Sequence, residues 1–140
     1  MTNPLYNYQK LATQFSSITI VLEPGPQHVM LRHILELFSS YRLISSSVQA
    51  DFFALLGCET TATSGMGTFP IAAALLSQSL RHLYFSWVFI LEDLNPDMID
   101  RRRTEVHALR LRGFPRAWRN SHDRRALLHR YRTDECFPKC

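Results

Sequence analysis

Pro24, Pro26, Pro70, Pro96 and Pro115 do most to limit what this 140-residue chain can become. A proline has no N–H to donate, so it cannot continue a helix or a central strand, although it suits a helix's first turn. Ahead of the Pro24-Gly25-Pro26 stop, Ser17–Glu23 is dense in β-branched residues and reads as a strand. After it, Met30, Ile34, Leu37, Tyr41, Ile44 and Val48 recur at spacings of four and three, with Leu31, Leu35 and Phe38 widening the stripe. That spacing predicts one amphipathic helix with Leu37 and Phe38 in the core, and Arg32 and Glu36 paired on its outer side. The serine run Ser45-Ser46-Ser47 ends it. Ser46 and Gln49 resemble a capping box for a short helix over Val48–Leu56, stopped by Gly57.

Cys58 to Thr68 is small, polar and glycine-bearing and reads as the main loop. Pro70 opens the most apolar stretch, Ile71–Leu91, whose length would span a bilayer core of about 30 Å as a helix. Ser77, Gln78, Ser79, Arg81 and His82 interrupt it, which favours a buried core element over a membrane segment. Within it, Leu83–Leu91 is aromatic-rich and offers a second strand that could pair with Ser17–Glu23. Asn95-Pro96-Asp97 carries helix-start chemistry and predicts a helix from Pro96 to Arg112, ending at Gly113. Pro115 restarts a last helix carrying Trp118, Leu127, Leu128 and Tyr131. The expected fold is mainly α, one small domain of about five helices, or α+β if the two strands form.

Charge divides the chain. Up to Asp100, four basic residues stand against eight acids, a balance of −4, whereas from Arg101 twelve stand against four, a balance of +8. This predicts a neutral-to-acidic body over 1–100 and a basic arm over 101–140. Fourteen of the sixteen basic residues are arginine, whose planar fork grips phosphate or carboxylate bidentately and stacks on flat rings.

The arm supplies the candidate binding residues Arg110, Arg112, Arg116, Trp118, Arg119, Arg124, Arg125, Arg130 and Arg132. Arginines neutralise phosphates, and an exposed aromatic can stack on an unpaired base. The sequence therefore points to a non-catalytic binding or regulatory protein whose arm engages RNA or DNA non-specifically. The second reading is an accessory or adaptor protein that docks an acidic or helical partner through the arm or the Met30–Val48 face. The third is membrane association through Ile71–Leu91.

No motif that fixes catalytic geometry is present: there is no phosphate-binding glycine loop and no nucleophile elbow. Cys58 follows a helix C-terminus, where the dipole raises a thiol's pKa, so it does not read as a nucleophile. His122, His129, Cys136 and Cys140 are spaced too widely for one zinc ion, so neither a metal nor a cofactor is expected. Three cysteines and no basic-then-apolar leader predict a reducing, intracellular setting.

Overall fold

The computed structural model describes residues 4–25, 30–63, 68–86, 99 and 102–109. Among them are four helices and five strands: α1 (Leu5–Ala12), β1 (Ser17–Val21), α2 (Leu31–Leu35), β2 (Ser40–Ile44), α3 (Val48–Leu56), β3 (Thr60–Ala62), α4 (Thr68–Leu76), β4 (His82–Ser86) and β5 (Glu105–Leu109). The strands form two parallel sheets, β1-β2 and β3-β4-β5. The mainly helical expectation is therefore overturned, and the fold is mixed α/β. The described residues fall into two compact units, divided after Asp51.

In the first unit, β1 forms where its β-branched run predicts and stops at Val21, two residues short of the expected end. Gly25 follows at φ 136°, a conformation that residues with a side chain rarely adopt. The long helix expected over Met30–Val48 does not form. Helix α2 closes after five residues, and the chain enters β2, pairing Ser17 with Ser40 through Val21 with Ile44. Ladder pairing with β1, together with the strand preference of Tyr41 and Ile44, outweighs the helical spacing of the apolar residues.

The apolar stripe divides accordingly. Met30, Leu31, Ile34 and Phe38 are buried, whereas Leu37 is only half-buried and Tyr41 and Val48 are exposed. Tyr8 and Leu11 of α1 are also buried, and α1 packs against α2. The Arg32–Glu36 pair forms at 3.0 Å, but both side chains are exposed and the pair adds little stability.

Helix α3 begins as expected, with a different cap. The Ser47 hydroxyl accepts the Ala50 N–H at 3.2 Å, and the buried Asp51 carboxylate accepts from the Ser46 N–H and hydroxyl. Gly57 closes the helix.

In the second unit, the segment read as the main loop contains β3, which runs parallel to β4. The apolar stretch Ile71–Leu91 is broken by structure as well as by polarity. Helix α4 ends at Leu76, and the Ser77 hydroxyl donates to the Leu56 carbonyl at 2.6 Å while accepting from the Ser79 and Leu80 N–H groups. Strand β4 then starts at His82, and its partners are β3 and β5, not the Ser17–Glu23 strand. Among the described residues no helix is long and apolar enough to cross a membrane.

The helix expected over Pro96–Arg112 is contradicted where it is described, because Glu105–Leu109 is strand β5, paired with β4 over its whole length. Val106 has a buried place beside Leu83, and that contact decides the local structure over the helix-start signal. Ala74, Leu80, Leu83, Phe85, Ile99 and Val106 form one hydrophobic cluster.

Candidate functional site

Strand β4 alternates. Leu83 and Phe85 face the cluster with Ala74 of α4, so His82 and Tyr84 face the other side of the sheet. Strand β5 repeats the pattern: Val106 is in the cluster, and Glu105 and His107 lie beside His82 and Tyr84 in the ladder. Parallel register pairs His82 with Glu105 and Tyr84 with His107. Four chemically capable side chains thus form a square on one sheet face.

The square is tightly knit. The His107 ring lies 4.3 Å from the Tyr84 ring at 10° between planes, and 5.7 Å from the His82 ring. His107 Nε2 approaches His82 Nδ1 at 3.5 Å. Glu105 reaches His82 Nδ1 with Oε2 at 3.5 Å and His107 Nε2 with Oε1 at 3.8 Å. Tyr84 is buried, His82 and His107 half-buried and Glu105 exposed. Burial pushes the Tyr84 phenol above its ordinary pKa, and the negative Glu105 adds to the effect. Among the described residues, His82, Glu105 and His107 are the group whose donor atoms could meet at one metal ion, all lying within 4.8 Å of one another.

The strand starts that carry this face are well anchored. The Glu59 carbonyl accepts from the Arg81 and His82 N–H groups, and the Arg81 carbonyl accepts from the Glu105 N–H. The Thr104 hydroxyl donates to the Leu80 carbonyl at 3.0 Å, and Arg103 donates to the Gln78 carbonyl at 2.8 Å. Beside them opens a hollow of about 500 Å³ lined by Arg81, Arg102, Arg103 and Thr104 together with His82 and Glu105. Arg81, Arg102 and Arg103 therefore line the hollow together with His82 and Glu105 of the histidine face.

The nine arm residues Arg110, Arg112, Arg116, Trp118, Arg119, Arg124, Arg125, Arg130 and Arg132 lie outside the described residues, as do His122, His129, Cys136 and Cys140. Cys58 is half-buried and donates to the Ala54 carbonyl, and its thiol pKa is raised, with burial as the cause. The direction agrees with the sequence reading, though the reason differs.

Sequence reasoning missed the His82–Glu105–His107 group. His82 and His107 are 25 residues apart, and metal-site spacing rules recognise ligands held on short turns. The available signal was a period of two in His82-Leu83-Tyr84-Phe85 and in Glu105-Val106-His107. A helical reading of 96–112 hides it, because residues two apart do not share a helix face.

The fold and this face define a parallel α/β protein with a histidine–carboxylate cluster beside an arginine-lined hollow. Compared with known proteins, the chain matches no family, no curated protein and no solved structure.

Proposed function

We propose that this is a non-catalytic binding protein whose partner is a polyanion, single-stranded or double-stranded nucleic acid, held without sequence preference. The observation that carries the reading is the gathering of Arg81, Arg102 and Arg103 around one open hollow. Arg102 and Arg103 belong to the basic stretch that runs from Arg101 to Arg132, and Arg81 adds a basic residue from the body. Arginines on a shared hollow can bind phosphate oxygens by charge-assisted, bidentate hydrogen bonds.

The test is affinity for a single-stranded RNA or DNA oligonucleotide measured across a salt series. Log affinity should fall linearly with log salt, by about 0.7–0.9 for each phosphate contacted. Arg81→Ala, Arg102→Ala and Arg116→Ala should each shallow that slope by roughly one contact and weaken all sequences alike. A wild-type chain with no measurable affinity at low salt contradicts the reading.

A second reading, an adaptor docking a protein partner, is supported by Tyr41 and Leu43. They leave 55% and 39% of their surfaces exposed on β2. Copurification of a stoichiometric protein, lost in Tyr41→Ser/Leu43→Ser, would favour it.

A further inference from the structure

We propose that His82, Glu105 and His107 form a binding site for a divalent transition-metal ion of the zinc class, with one coordination position open toward the arginine-lined hollow. The donor set selects the ion. Two imidazoles and one carboxylate suit zinc and its neighbours, whereas magnesium and calcium take all-oxygen shells.

The spacing agrees with that choice. Zinc with bonds of about 2.0–2.1 Å in a tetrahedron sets its donors about 3.3 Å apart. An octahedral ion such as magnesium with similar bonds sets neighbouring donors about 3 Å apart. The observed separations are 3.5 Å between the two histidine nitrogens, 3.5 Å from His82 to Glu105 and 3.8 Å from His107 to Glu105. With one atom from each residue, the three donors lie within 4.8 Å of one another, so a turn of the Glu105 carboxylate is needed to close them on one ion. The two Glu105 contacts use different oxygens, so the exposed carboxylate needs only to pivot for one oxygen to meet both histidines.

The scaffold holds the donors in place. His82 and Glu105 are ladder partners, and His107 is the next residue on the same face of β5. The Tyr84 ring stacked on His107 fixes one imidazole plane, so little side-chain freedom is lost on binding. The two ring nitrogens approach at 3.5 Å, where one can donate to the other or both can turn their lone pairs to a cation. One carboxylate against a divalent ion leaves a net charge of +1. The exposed guanidiniums of Arg81, Arg102 and Arg103 add to the positive field, so the open position favours water or an anionic oxygen over a fourth protein ligand.

The site does not depend on the polyanion reading, and its test uses the metal alone. Chelator-stripped full chain is titrated with zinc by calorimetry, and with cobalt(II) by visible absorption. The expected result is saturation at one ion per chain, with cobalt d–d bands and no thiolate charge-transfer band. Glu105→Gln and His82→Gln should each bind at least about tenfold more weakly. Cys136→Ser/Cys140→Ser should bind like the wild type. Circular dichroism of each variant separates a lost ligand from a lost fold, and the wild-type cobalt spectrum stands whatever the variants do. No saturable binding, a thiolate charge-transfer band, or full affinity in both the glutamate and the histidine variants would each overturn the assignment.

Discussion

In the β1-β2 sheet no strand residue is fully buried, whereas β4 buries Leu83, Tyr84 and Phe85 in succession. β1–α2–β2 and β3–α4–β4 are both strand–helix–strand connections, yet the two sheets bury different things. The buried residues of the first unit lie mainly on and around the helices: Tyr8, Leu11, Met30, Leu31, Ile34 and Phe38. In the second unit the strands themselves supply the core through Leu83, Phe85 and Val106. The difference follows from position. Strand β4 is central, with a parallel neighbour on each side, while among the described residues β1 and β2 pair only with each other. A central strand packed on one face can use the other for chemistry, and β4 uses it for His82 and Tyr84.

The largest expected effect tests this contrast in the second unit. Leu83 is 1% exposed, and Leu83→Ala should cost about 2–5 kcal/mol, read by urea denaturation followed by circular dichroism. A loss under about 1 kcal/mol would mean that β4 is not the centre of the core.

Next comes the cap of α3. Asp51→Ala removes the acceptor of the Ser46 N–H and hydroxyl, and should cost about 1–2 kcal/mol in the same assay. An unchanged midpoint would show that Ser47 alone caps the helix.

The smallest effect belongs to the first sheet. Ile20 is half-buried on β1, so Ile20→Ala should cost roughly 1 kcal/mol, about half the transfer energy of a fully buried isoleucine and its methyl groups. A loss matching that of Leu83→Ala would erase the contrast between the two sheets.

Much of the local structure was legible from residues that act on their neighbours. Ser17–Glu23 reads as a strand because its branched side chains crowd a helix, and β1 forms over Ser17–Val21; Val48–Leu56 reads as a helix between a serine cap and Gly57. What failed depended on partners distant in sequence. The apolar spacing from Met30 to Val48 fits a helix, but Ser40–Ile44 gains a ladder with β1 that no local pattern reveals. Likewise Asn95-Pro96-Asp97 promises a helix, yet Glu105–Leu109 joins β4. The candidate site was hidden by the same error. Glu105 and His107 share a face only in a strand, and His82 meets them only once the β4–β5 register is known. The arginine bias pointed to the basic arm over 101–140, and Arg102 and Arg103 at the hollow belong to that arm.

The central claim is that β4 and β5 run side by side in parallel, with His82 opposite Glu105 and Tyr84 opposite His107. Nuclear Overhauser contacts in the isotopically labelled chain test it directly. The account predicts cross-strand amide-to-Hα contacts between 82–86 and 105–109 in the evenly spaced parallel pattern. It also predicts contacts between the rings of Tyr84 and His107. Strong sequential amide–amide contacts through Glu105–Leu109, with no contacts to 82–86, would mean that this segment is helical and that the histidine face does not exist.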